Sequence, residues 1–146
     1  MLTALFNFAM KVIQFVVEGQ PVPKGRPRFS QKTGRGYTPQ KTRQAEQKIV
    51  KAYKQEYADV AFPEDVALEL DCRFYLQIPK YKMAHADEIE GAYVLKKPDS
   101  DNLLKTVADS MNGVAYPDDK CIVVVRAEKR YSKYPRTEIT IKDITP

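Results

Sequence analysis

Asp99 and Asp101 stand two residues apart, and Lys105 and Asp109 follow at intervals of four. At about 100° of rotation per residue, a helix over this stretch puts Asp101, Lys105 and Asp109 within roughly 80° of one another, opposite Leu103, Val107 and Met111. One face is then chemical and the other is core. Asp99 reaches the same helix N-terminus when the chain enters it extended, so that two carboxylates converge. Mg²⁺, with Mn²⁺ as its substitute, takes oxygen ligands, keeps several waters and is held by one or two carboxylates plus substrate phosphate. Such an ion lowers the pKa of a bound water, polarises a phosphate and neutralises charge on a leaving oxygen, which is the chemistry of phosphodiester hydrolysis. Lys105, one turn beyond Asp101, adds positive charge to that transition state or orients the attacking water.

Spacing alone leaves a plainer reading open. Asp101 stands where an N-cap belongs, Asp99 suits the helix dipole, Lys105 and Asp109 form an i,i+4 surface pair, and Asp118 and Asp119 are turn residues. His85, the single histidine, lies among Asp87, Glu88 and Glu90 and reads, with them, as ordinary surface.

The charge is divided along the chain. Residues 24–43 hold Lys24, Arg26, Arg28, Lys32, Arg35, Lys41 and Arg43 with no acidic residue, whereas carboxylates dominate around residues 99–119. The net charge of +5 favours a polyanionic partner. Pro23, Pro27, Phe29 and Tyr37 interleave with the basic residues and suggest a pre-shaped surface for phosphates, although a merely solvated face has the same composition.

The elements that must position these groups follow from periodicity. Residues 12–17 read as a strand leading into a proline-rich basic loop, and Thr38-Pro39 opens a helix over about residues 39–57. Strict alternation from Val66 to Ile78 predicts a long strand. Residues 79–98 show no period and are expected to form a flap. A short helix over residues 102–111 ends at Gly113, and strands over residues 122–127 and 137–141 are joined by a polar connection.

The order β-α-β-loop-α-β-β is that of an α+β domain, with two helices packed on a mixed or antiparallel sheet. It is read as one domain over residues 1–146, residues 1–11 being an extension or tail. With 43% apolar and 29% charged residues the chain reads as globular. Cys72 and Cys121 are too few for a disulfide framework and suit a reducing cytoplasm. No apolar run approaches the ~20 residues of a membrane span, and no signal peptide is read.

Taken together, V-P-K-G-R-P-R at residues 22–28, Y-T-P at 37–39, K-P-D-S-D-N-L-L-K at 97–105 and P-D-D at 117–119 resemble the RusA family of Holliday junction resolvases, common in phages and prophages. The resemblance covers residues 12–141. It implies a homodimeric, Mg²⁺-dependent endonuclease that resolves four-way DNA junctions by paired nicks in recombination and repair. It further implies that Asp99, Asp101 and Asp119 hold the metal and that Lys105 is required for cleavage. Lys24, Arg26, Arg28, Lys32, Arg35, Lys41 and Lys97 are the expected DNA contacts, while Asn102, Asp109 and Asp118 are candidates for supporting the ligands from behind. The competing functions are a nuclease acting on forks, flaps or RNA and a DNA-binding regulator without catalysis.

Overall fold

The computed structural model describes residues 11–146, so the expected extension, apart from Lys11, lies outside the described residues. Alternating apolar positions make the sheet. β1 (Val12–Glu18) buries Ile13, Phe15 and Val17 while exposing the residues between them. β4 (Leu68–Gln77) buries every second residue over ten residues, the residues between being half-buried or exposed. β5 (Ile122–Ser132) and β6 (Arg136–Asp143) complete a four-stranded sheet of order β1-β6-β4-β5. The β4–β5 pair is parallel and the other two pairs are antiparallel, so the sheet is mixed.

Between β1 and β4 come two features that share the basic segment. β2 (Arg28–Phe29) and β3 (Gly36–Tyr37) form a small antiparallel hairpin where a rigid loop was expected. α1 (Gln40–Tyr57) follows, close to the anticipated helix. The hairpin stem is pinned to α1 because the Gly25 N–H donates to buried Thr42 Oγ1 at 3.0 Å. A Cβ at Gly25 would lie 2.8 Å from that hydroxyl, so the close approach requires glycine.

A parallel pair needs a crossover, and here it contains a 3₁₀ turn (Lys80–His85), the single-turn α2 (Ala86–Ile89) and α3 (Ser100–Ser110). α1 and α3 cover one sheet face. Ile49 and Tyr53 of α1 and Leu103 and Val107 of α3 are buried with Leu70, Cys72, Phe74, Ile139 and Ile141. The opposite face is charged and solvated, with Arg126 on Glu69 at 3.1 Å and Arg73 on Glu128 at 3.4 Å. Cys72 and Cys121 are free thiols, the first buried. Among the described residues no helix is long and apolar enough to cross a membrane.

The expected flap is instead a strap fastened along β5. Gly91 and Val94 donate to the Tyr131 and Lys129 carbonyls at 2.9 and 3.0 Å, and Tyr131 donates back to Ala92. Glu90 accepts from Ser132 Oγ and the Lys133 N–H at 2.7 Å each. Lys129 Nζ closes the strap by donating to the Lys96 and Pro98 carbonyls at 2.7 and 2.8 Å, immediately before Asp99. These contacts join residues far apart in sequence, which is why no local period announced them. His85 stays on the surface, 3.7 Å from Glu88.

Lys129→Met removes two charge-assisted bonds from these carbonyls and should cost about 1–3 kcal/mol. Hydrogen exchange should accelerate first in residues 91–98, with the melting temperature falling less than that local change suggests.

Candidate active site

α3 divides its two faces as its sequence requires, with Leu103, Val107 and Met111 in the core and Asp101 and Lys105 exposed. The helix begins at Ser100, two residues earlier than its apolar pattern alone indicated. Asp99 is therefore the N-cap residue, and its backbone is extended (φ −70°, ψ 143°), the entry conformation that convergence of Asp99 and Asp101 requires. Its side chain makes no capping bond. Asp101 lies inside the first turn instead of capping it.

The other end of the stripe is where carboxylates crowd. Tyr116 is buried and its hydroxyl donates to the Ala108 carbonyl at 2.6 Å, fastening the following turn to α3. The Asp119 N–H then donates to Asn112 Oδ1 at 2.7 Å. Burial, hydrogen bonding with Asp118 and the charge of Asp109 raise the Asp119 carboxyl above its ordinary value of 3.8. Asp118 goes the other way, held low chiefly by the Lys120 N–H that its side chain accepts at 2.8 Å. Asp118 is thus the turn residue of the pair, while the Asp119 side chain shares hydrogen bonds with Asp118 and Asp109.

Lys105 and Asp109 do not form the surface pair that spacing allowed. Asp109 is taken by Lys24, whose Nζ lies 3.2 Å from it and 2.8 Å from Glu46 of α1. The Lys24 N–H also donates to the Asn102 carbonyl at 3.1 Å. Burial alone would lower the Lys24 pKa, but the hydrogen bonds it donates to Glu46 and Asp109 outweigh that effect and raise the value. Lys24, expected to contact phosphate, is a strut between two helices. Arg26, Arg28, Lys32, Arg35, Lys41 and Lys97 are exposed, and none enters an ion pair among the described residues.

Asp101 precedes Asp109 by eight residues, or about 12 Å of helix at about 1.5 Å per residue. The structure therefore brings Asp119 together with Asp109 and Asp118, and leaves Asp99 and Asp101 some two turns away along α3. Among the described residues no three His, Cys, Asp or Glu side chains gather closely enough to hold a metal ion by themselves. A carboxylate raised by its neighbours nevertheless has the donor chemistry of a Mg²⁺ ligand, because a cation beside it relieves the repulsion and because Mg²⁺ takes one or two carboxylates and fills its remaining positions with water and phosphate. Asn112, Glu46 and Lys129 escaped sequence reasoning. Each acts on a partner more than five residues away, and none belongs to a recognisable short motif.

A family model described as Endodeoxyribonuclease RusA matches residues 18–142, from the end of β1 nearly to the end of β6. The chain is also 33% identical over 144 residues to the Bacillus subtilis (strain 168) protein YqaN, in a match covering 93% of this chain and 99% of that one.

Two substitutions test the electrostatics. In the folded protein the raised Asp119 carboxyl binds its proton more tightly than in the unfolded chain, so the stability it contributes is present below its ordinary value of 3.8 and is lost as pH rises through the folded value. Asp119→Asn should therefore raise the melting temperature at pH 7 in the absence of divalent cations, and should flatten the fall in stability as pH rises above about 4. Lys24→Met leaves Glu46 and Asp109 unpaired and should destabilise by about 1–3 kcal/mol, measured by denaturant unfolding. Lys24→Arg should show much of the same loss, because a planar guanidinium fork does not reproduce the geometry of a compact ammonium group.

Proposed function

This chain belongs to the RusA family of endodeoxyribonucleases, and we propose that it resolves four-way DNA junctions by paired, Mg²⁺-dependent nicks as a homodimer. Its reaction class is hydrolysis of a DNA phosphodiester. The observation that carries the finer reading is the crowded Asp119 carboxyl, raised by burial and by Asp118 and Asp109, on a stripe that also bears Lys105 and Asp101. A purely structural turn has no need to press carboxylates together, since the repulsion lowers stability.

The residues divide the work by chemistry. Asp99 and Asp101 at the start of α3 would hold Mg²⁺. Asp119, which lies beside Asp109 some two turns along the helix, would join them only by movement of its turn toward that start as cation and phosphate bind, with Asp109 supporting it from behind. The bound ion, with Mn²⁺ able to replace it, supplies a lowered pKa for water and charge neutralisation at the phosphate. Lys105 lies between the two acidic ends of the stripe, where its ammonium group can meet a phosphoryl oxygen carrying developing charge. The exposed Arg28, Lys32 and Arg35 of the hairpin, with Arg26 and Lys41 at its base, offer contacts to the sugar-phosphate backbone, which fix position without reading bases. Aromatic Phe29 and Tyr37, 75% and 49% exposed, stand among them as surfaces for unstacked bases.

A two-fold dimer matches the symmetry of a junction and places two nicks symmetrically. Support for self-association comes from β5, an edge strand on which Val123, Val124 and Val125 are exposed and which the strap covers only from Lys129 onward. Intracellular DNA recombination and repair, in a prophage setting, is the context that fits this substrate.

Asp101→Asn should abolish cutting of a synthetic four-way junction, a loss of at least about 100-fold, while binding of the junction without metal stays within about threefold. Asp109→Asn should retain more activity than Asp101→Asn. Full activity in Asp101→Asn would defeat the assignment. Equal cutting of junction, fork, flap and single-stranded substrates by the wild type would replace junction resolution with a general structure-selective nuclease.

A further inference from the structure

Beyond the hairpin, α1 carries a second basic surface. Arg43, Lys51 and Lys54 line an open groove of about 710 Å³ along the helix, whose lining also includes Ser110, the residue after Asp109. At about 100° per residue the three fall within roughly 80° of one another, so they form a single stripe. All three are exposed, and none enters an ion pair among the described residues. Glu46 is the one carboxylate in the lining, and Lys24 already holds it at 2.8 Å. The groove therefore carries three cations without a free counter-charge in its lining.

We propose that this groove carries the phosphodiester backbone of the DNA substrate beyond the point of cleavage, a contact separate from the hairpin. The inference rests on the nuclease reading and extends it to a second strand-binding track. Three features favour a polymeric polyanion over a single phosphate or a small metabolite. The cations are spread over about 16 Å of helix, and one DNA strand carries roughly one phosphate per 3.4 Å of its axis. The groove is open along one side, as a passing strand requires. Its lining includes Ser110, the residue after Asp109, so the groove lies beside the helix that bears the acidic stripe. Lys41, about 200° around α1 from Arg43, belongs to the hairpin side, which leaves the two basic surfaces on different flanks of one helix.

The test measures binding of a fluorescently labelled four-way junction by anisotropy across a salt series, without divalent metal, so that cleavage plays no part. Wild type is compared with Arg43→Ala/Lys51→Ala/Lys54→Ala, with the charge-conserving Arg43→Lys/Lys51→Arg/Lys54→Arg, and with Arg26→Ala/Arg28→Ala. The alanine triple variant should bind at least about tenfold more weakly near 150 mM salt, and its slope of log affinity against log salt should fall by about two to three, at about 0.9 for each phosphate no longer neutralised. The charge-conserving variant should match the wild type. An alanine triple variant with wild-type affinity and slope, alongside a weakened hairpin variant, overturns the proposal and leaves the nuclease reading intact. A wild type that binds no DNA overturns both. The substituted side chains are exposed, and an unchanged far-ultraviolet spectrum and melting temperature confirm that the variants are folded.

Discussion

Like charges held together at neutral pH repel, and a folded chain keeps them so only where its other contacts over-determine the geometry. Asp119 is such a group. Tyr116 is sunk in the core beneath α3, Asn112 fixes the Asp119 backbone, and Asp109 cannot swing away because Lys24 holds it against α1. The crowded carboxyl thus depends on the packing of both helices on the sheet. That crowding is a local cost to stability, carried by the contacts that hold the turn and the end of α3 in place.

Lys24 connects that centre to the basic surface. It leaves the proline-rich segment at the stem of the hairpin, receives one acidic partner from each helix, and uses its own N–H on α3. The first basic residue of the motif is therefore internal, and those that follow it are free. This division has a physical reason. An ammonium group with two carboxylate neighbours has little left to offer a phosphate, whereas exposed, unpaired arginines release counterions when DNA arrives. The same reasoning separates Glu46, neutralised from within, from the cations of the groove it lines.

The length of the crossover from β4 to α3 would suit a free arm, yet its backbone adds short pairings to β5, and Lys129 clips it at two carbonyls beside Asp99. The start of α3 is thereby positioned by the far half of β5, and the end of α3 by the turn that begins the same strand. β5 spans both acidic ends of the stripe, so any shift along that strand alters the relation of Asp101 to Asp119.

Much of the architecture was legible in the chain. The alternation through β4, the paired faces of α3 and the Thr38-Pro39 start of α1 are local signals, because strand and helix periods are set by backbone geometry. The acidic stripe and the basic segment were legible for the same reason, as was the likeness carried by the D-x-D-N, lysine and D-D residues. Sequence could not show that residues 79–98 lie fastened, that residues 28–37 form a hairpin, that Asp109 rather than Lys105 engages a counter-ion, or that Asp119 settles at the far end of α3. Those outcomes depend on contacts such as Lys24 with Glu46, Asn112 with Asp119 and Lys129 with Pro98, whose energies depend on distances that exist only after the sheet and helices have packed. The residue types and their spacing determined which chemistry the chain could carry. Tertiary structure decided which carboxylates meet, since electrostatic repulsion and hydrogen bonding act across space and not along the chain.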